Sequence, residues 1–239
     1  MNKFERYYGM AFKSILWGLN PFKKKIIRTE CKVHRFINYQ SLKLLANHDY
    51  IKEFELYNHY LEEMNRGVVW ADQDFKSTGH FYSPTKRRGM YGHLNARSLT
   101  RKYYDKALFH WEKGHKSRSI FFLGAAVHII QDMTIPQHVN IRLLDNHRQY
   151  ENFVKTTYDI VKEFRTHKKP IQFKKLDSYI IFNGKTALRA YKKYKKIDDS
   201  RERYYRLTKC SLPLAQRTTA GCMLMFLRDI GFYKENQKK

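Results

Sequence analysis

Long apolar runs are missing from this chain. None of its 239 residues falls in a stretch that approaches the ~18 consecutive apolar residues of a membrane-crossing helix, so no segment reads as one. Cysteine is scarce: Cys31, Cys210 and Cys222 make an odd count without framework spacing, so nothing demands a disulfide and the redox compartment stays open. Cys31 and His34 stand one helical turn apart and could clamp a cation, but a lone cysteine more often packs as a small apolar group, and Cys31 is read that way. Proline and glycine number only 5 and 11. They gather between Gly79 and Gly92, with Pro136 and Pro170 between periodic segments, and mark loops rather than a domain boundary. Negative charge is the last shortage. Against 47 Lys and Arg there are 22 Asp and Glu, a formal net charge of +25 that implies attraction to anionic surfaces, membrane or nucleic acid.

What the chain does have is helical periodicity. Apolar residues recur at three and four positions from about Val33 to Ala46, Ile51 to Met64, Ser98 to Trp111, Ser117 to Met133, Tyr150 to Phe164 and Leu214 to Ile230. Strand-like alternation is rare, and no internal repeat or low-complexity linker appears. The expectation is an all-α, single-domain multi-helix bundle with one sizeable core. One break from helix is expected over Lys168 to Asn183, where Ile171, Phe173 and Ile180 sit among turn formers. Positive charge piles up at Lys23-Lys24-Lys25 and from Lys162 to Arg206, where lysines alternate with tyrosines. The commonest role of such a run is a solvated helix face. Residues 1–28 read as a basic N-terminal segment and a candidate processed leader, with residues 29–239 as the catalytic domain. Lys13 interrupts the leader's apolar run and no Ala-x-Ala-like site follows, so support for a secretory signal is weak.

Chemistry concentrates in one segment. His128-Ile-Ile-Gln-Asp132-Met-Thr-Ile-Pro136-Gln-His138 is followed by His147-Arg-Gln-Tyr-Glu151. Residues four apart share a helix face, so His128 with Asp132, and His147 with Glu151, are each a two-ligand clamp. His138 stands just past Pro136, which should end or bend the first helix and swing the imidazole back over its mouth. A hydrogen-bonded His–Asp couple would be the plain alternative. However, Ile120 to Ile130 is apolar nearly all round, so this pair should be buried, and a buried carboxylate needs a partner. A cation is the simplest one. Asp72 and His80 lie in a loop of small and polar residues that could fold both side chains onto one ion, and His34 sits among Val33, Phe36 and Ile37 on an inward helix face.

In order and spacing, His34, Asp72, His80, His128, Asp132, His138, His147 and Glu151 resemble the zinc-dependent phospholipase C family. The resemblance is specific from Leu123-Gly124 through His128, Asp132, Pro136 and His138, and weaker at Leu214 to Gly221 with Phe226 to Asp229. It implies a helical bundle of the phospholipase C and P1 nuclease type, in the short form without an added lipid-binding domain. It also implies two or three Zn2+ ions: one held by Asp72, His80, His128 and Asp132, a second by His138, His147 and Glu151, a third by His34 and a bridging Asp132. Open positions on such ions are the catalytic style of zinc site, where the metal polarises phosphoryl oxygens and activates water. Asp72 and Glu151 are the candidate catalytic residues, Asp72 as the group that takes the proton from water. The implied substrate is a phospholipid at an anionic membrane surface, cleaved on the glycerol side to diacylglycerol and a phosphorylated head group. No obligate protein partner is implied. Members of the family are secreted.

The chain departs from the family at two points. In secreted members the amino group of an N-terminal tryptophan completes the third ion, whereas here the first tryptophan is Trp17. Gln73 follows Asp72 where the family has an aromatic that cages choline, leaving Phe75, Phe81 or Tyr82 for that contact. Two other readings stay open. A P1-type zinc nuclease would use the basic, tyrosine-rich surface on single-stranded nucleic acid, although its last ligand pair usually ends in Asp after a longer insertion. A binding module would keep a structural metal and dock anionic surfaces through Lys162 to Arg206.

Overall fold

The computed structural model describes residues 30–73, 76–90, 95–140 and 147–235. The basic N-terminal segment, Trp17 and Phe75 lie outside them, as does the side chain of His147. The described residues form α1 (Lys32–Ala46), α2 (Ile51–His59), α3 (Leu61–Asp72), α4 (Ala96–Glu112), α5 (Lys116–Asp132), α6 (Pro136–Asn140), α7 (His147–Thr157), α8 (Leu176–Tyr194), α9 (Ser200–Asp229) and α10 (Phe232–Glu235), with short 3-10 turns at Lys76–Gly79 and Lys162–Phe164. Among them the only β pairing is an isolated bridge between Ser83 and Arg88. The all-helical expectation is met.

α5 is the axis of the bundle. Its run from Phe122 to Asp132 is buried throughout, as its nearly continuous apolar sequence requires. α3 and α4 pack along it, while α9 crosses it and carries α1 and α8 on its flanks. The α3–α5 crossing depends on two glycines. A Cβ on Gly67 would sit 1.8 Å from the Phe121 carbonyl oxygen, and one on Gly124 would sit 2.1 Å from that of Met64. Each helix thus supplies the gap into which the other's backbone fits. The consequence reaches the chemistry, because α3 ends at Asp72 and α5 at Asp132. A second, smaller cluster of Ile37, Tyr150, Val154, Phe164, Tyr204, Leu207 and Leu212 joins α1, α7 and the first half of α9.

Four boundaries differ from the sequence expectation. The run read from Tyr150 to Phe164 is α-helical only to Thr157, and Lys162–Phe164 is a separate 3-10 turn that buries Phe164. The periodic run from Ile51 to Met64 is two helices, because Tyr60 leaves helical geometry (φ −105°, ψ 19°) and frees α3 to take its own direction against α5. The break expected through Asn183 ends earlier, at Lys175. α8 starts at Leu176 because Tyr179, Ile180, Asn183 and Ala187 form one buried face and Asp177 places negative charge in its first turn. The closing helix begins at Ser200 rather than near Leu214, capped by the Asp199 carboxylate, which accepts from the Arg201 and Glu202 amides. Pro213 lies inside that helix without ending it, since buried residues continue on both sides, from Tyr204 to Leu212 and from Leu214 to Leu227.

Candidate metal centre

The C-terminal end of α5 delivers Asp132, with His128 buried one turn behind it, to a cleft of about 620 Å³. Cys31, His34 and Ile37 of α1 and its cap, Asp72 at the end of α3, Thr134 and His138 around α6, Tyr150, Glu151 and Lys155 of α7 and Leu212 of α9 line it. Asp132 is the hub. Its Oδ2 accepts from His80 Nδ1 at 2.7 Å and lies 3.3 Å from His128 Nε2, while Oδ1 lies 3.4 Å from His34 Nε2. The His34 and His128 rings stack at 4.1 Å between centroids, and His80 meets His128 edge-on at 4.9 Å. Asp132 is 5% exposed, His128 1% and His80 fully buried.

Burial alone would raise the Asp132 carboxyl, but the charges of His128 and His138 and the hydrogen bonds from His128 and His80 outweigh it and hold the group well below the usual carboxylate range. His128 shifts upward: burial disfavours its charged form, and Asp132 more than compensates. His34 goes the other way, down to about 4, first through burial and then through the adjacent His128 charge. At neutral pH the His34 ring is therefore neutral.

The second sphere fixes which nitrogen of His34 is available. Gln131 Oε1 accepts from His34 Nδ1 at 2.7 Å, so Nε2 keeps its lone pair and faces Asp132. The orientation of the Gln131 amide is set in turn, because its Nε2 donates to Asn38 Oδ1 and to Thr219 Oγ1, and Asn38 donates to Asn65 Oδ1. Sequence reasoning missed Gln131 and Asn38. The available signals were their positions, Asn38 four residues after His34 on the same helix face and Gln131 beside Asp132. Polar residues on an otherwise apolar helix face call for a partner.

Two sets of donor atoms lie close enough to share an ion: His34, His128 and Asp132, and Asp72, His80 and His128, each within 4.8 Å of one another. The chemistry of these sets suits zinc, which takes imidazole nitrogen and carboxylate oxygen. A further test is whether the site leaves polar atoms needing a cation. It does: His80 Nε2 and His128 Nδ1 are buried and have no hydrogen-bond partner. The residues therefore fit a metal ion.

The structure thus brings together His34, Asp72, His80, His128 and Asp132. His138 lies on α6, with its ring stacked on Phe81 at 4.8 Å, and both it and Glu151 line the cleft. Pro136 starts α6 rather than only ending α5, and this short helix is what turns His138 toward the cleft. Glu151 Oε2 is 3.6 Å from Lys155 Nζ one turn along α7. The expected aromatic cage is different: Phe81 and Tyr82 are buried at 4% and 3% exposure and do not line the cleft, because Phe81 packs on His138. Cys31 is also not simply a core residue. It caps α1 in left-handed geometry (φ 47°) and directs its thiol to within 3.8 Å of Asp72 Oδ2.

Comparison with known proteins agrees with this geometry. The family model described as zinc dependent phospholipase C matches residues 33–201. Phospholipase C of Paraclostridium bifermentans is 29% identical over 122 residues, 44% of this chain and 31% of the relative. Phospholipase C of Clostridium perfringens is 24% identical, covering 85% of this chain and 60% of the relative, and that of Clostridium novyi is 24% identical, covering 82% and 58%. The chain thus spans between about a third and three fifths of these relatives. Among solved structures, the alpha toxin of Clostridium absonum superposes with a TM-score of 0.73 at 18% identity, covering 85% of this chain and 65% of that one. The Clostridium perfringens alpha-toxin from an avian strain gives 0.68 at 20%, with the same coverage. At such identities the likeness is one of fold.

Proposed function

The chain belongs to the zinc-dependent phospholipase C family, and from that premise we propose that it hydrolyses the glycerol-side phosphodiester of phospholipids, releasing diacylglycerol and a phosphorylated head group. The observation that carries this reading is the Asp132 hub: one ionised, buried carboxylate gathers three imidazoles at the head of an open cleft. His34, Asp72, His80, His128 and Asp132 would hold zinc there, with His138, His147 and Glu151 as the further ligand set. Zinc, when bound, supplies positive charge that stabilises the phosphoryl oxygens as the transition state forms.

The protein's own groups then have distinct tasks. Asp72, half-buried at the cleft, takes a proton from the attacking water, whose oxygen bonds to phosphorus. The bond from phosphorus to the glycerol oxygen breaks, and that oxygen leaves with a proton as the hydroxyl of diacylglycerol. Gln131 holds His34 in one tautomer and one orientation, so that no reorganisation is needed during the reaction. Ile37, Val154 and Leu212 give the cleft an apolar wall against which the lipid's glycerol end can lie.

The test is hydrolysis of phosphatidylcholine and of single-stranded DNA by the zinc-supplied chain, beside a chelated control and a His128→Ala/Glu151→Ala variant. Diacylglycerol release that disappears in both controls is the expected result. DNA cleavage without lipid hydrolysis would move the chain to a nuclease, and zinc binding with neither activity would leave a binding module.

A further inference from the structure

The later part of the cationic run flagged in the sequence gathers at one helix junction, while Lys169 and Lys174 lie along the second half of α9. From Lys185 to Lys209 there are ten Lys and Arg against three Asp and Glu, over the end of α8 and the start of α9. The two helices meet along this stretch: Tyr194 of α8 lies under the Arg206 guanidinium at 6.0 Å, and its hydroxyl is 4.0 Å from Cys210 Sγ. Two of the three acids are occupied within the tract, Asp199 as the α9 cap and Glu202 with Arg206 at 2.6 Å. Lys192, Lys193, Lys195, Lys196, Arg206 and Lys209 are exposed. Tyr194 and Tyr205 between them are half-buried, with Lys193 over Tyr194 at 5.3 Å and Lys209 over Tyr205 at 5.7 Å.

Position distinguishes this tract from an ordinary solvated face. Opposite the basic side of the same α9 segment, Tyr204 packs on Tyr150 and Phe153 of α7, with ring centroids 5.6 and 5.8 Å apart. Tyr150, and Leu212 further along α9, line the cleft. The start of α9 that carries the cationic tract thus backs the α7 wall of the cleft, and α9 itself reaches the cleft at Leu212, just past Lys209. Lysine stems reach past their own apolar chains to place charge at a lipid head-group layer, and tyrosine suits the same depth because it has an apolar ring and a polar tip.

We infer that the α8–α9 tract docks the protein on an anionic phospholipid bilayer. The inference rests on the phospholipase reading for its purpose but not for its test. Bilayer docking is favoured over nucleic acid because the cations crowd one helix junction beside a cleft with an apolar wall, where a lipid must be drawn in.

The experiment compares the zinc-supplied chain with two fourfold charge reversals. One is Lys192→Glu, Lys193→Glu, Lys195→Glu and Lys196→Glu. The other is Lys102→Glu, Lys106→Glu, Lys113→Glu and Arg118→Glu, exposed positions on α4, on the turn that follows it and on α5, none of which lines the cleft. Binding is read by tryptophan-to-dansyl energy transfer to vesicles of phosphatidylcholine alone and of an equimolar mixture with phosphatidylglycerol, before turnover accumulates, and by fluorescence anisotropy of a labelled single-stranded DNA. Turnover is read separately on monomeric short-chain phosphatidylcholine. The tract variant is expected to lose affinity for the anionic vesicles on the order of 10²-fold or more, given the contribution of each well-placed lysine. The α4–α5 variant should lose only a small part of that, and the tract variant should keep its turnover of monomeric substrate. Equal losses in both variants would reduce the effect to net charge and overturn the inference. So would equal binding of the unaltered chain to neutral and anionic vesicles, or a tract variant that loses only single-stranded DNA binding. Vesicle binding that follows the tract without any turnover of monomeric lipid keeps the docking surface and removes the phospholipase reading. Turnover without anionic-vesicle binding does the reverse.

Discussion

Asp132 Oδ2 accepts a 2.7 Å hydrogen bond from His80 Nδ1 across 52 residues of sequence, and the same carboxylate reaches His34 and His128. An amide at this position keeps the size and loses the charge that three imidazoles and a metal share. Asp132→Asn is therefore expected to lower zinc content by about one ion per chain or more and activity on the order of 10²-fold or more, since even outer-shell changes cost metal sites 10–100-fold. Metal analysis of the dialysed variant beside its hydrolysis rate checks both. Full zinc content in the variant would remove Asp132 from the ligand set.

Gln131 is the next most consequential side chain, although it lies outside every metal-ligand pattern. Gln131→Met keeps its length, releases the His34 ring and leaves the buried Asn38 Oδ1 without its donor. The expected outcome is a zinc affinity lower by about 10–100-fold together with a stability loss of about 1–3 kcal/mol in the chelated chain. A competing-chelator titration reads the first and urea unfolding the second. Loss of stability alone would mean that Gln131 supports the core and not the metal site.

The contrast between these two residues shows what was legible before the structure. His128 and Asp132 could be found because helical spacing places them on one face and their apolar surroundings make burial an expectation. Asp72, His80 and His34 come from other elements, and only the resemblance to a family joined them to the pair. Gln131 carries no such pattern; its role appears only when α1, α5 and α9 are packed and its amide is seen to be held by Asn38 and Thr219. The helices were read where one face is apolar. The start of α9 was missed because Arg201 to Arg206 is dominated by charge, and its helical state rests on the Asp199 cap and on burial of Tyr204 and Leu207. The Tyr60 break leaves no Gly or Pro as a warning, and so the run looked continuous.

The α3–α5 crossing makes a prediction about how the fold sets the site. Gly67→Ala and Gly124→Ala each put a methyl group into a neighbouring backbone carbonyl, which no rotamer can relieve. Each is expected to cost about 3 kcal/mol or more, because the helices must move apart. Gly114→Ala is the comparison. It has a positive φ of 76° and nothing within 4 Å of the added carbon, so only the left-handed conformation is penalised, by about 1 kcal/mol. Urea midpoints rank the three. A zinc affinity that falls with Gly67→Ala, in protein that remains folded, would show that the crossing also sets the distance between Asp72 and His128.

Acid should destabilise the metal-free chain in a window set by His34. Its folded value, about 4, lies below the ordinary 6.5, so between these two the unfolded chain binds more protons than the folded one. The stability linked to this ring is therefore fully present above pH 6.5 and is lost as pH falls toward 4, by about 3 kcal/mol at most. Asp132 acts in the same direction but lower, its contribution present above the ordinary 3.8 and lost as pH falls through its depressed folded value. His128 has the opposite sign: its raised value contributes below 6.5 and that contribution is lost as pH rises through the folded value. Thermal midpoints of the chelated chain should therefore drop from pH 6.5 to pH 4, and the slope should flatten in His34→Phe, where no proton can be taken up. Zinc competes with protons for the same nitrogens, so the stabilisation it adds should shrink over that window. A gap between zinc-loaded and chelated midpoints that stays constant with pH would mean that these imidazoles do not hold the ion.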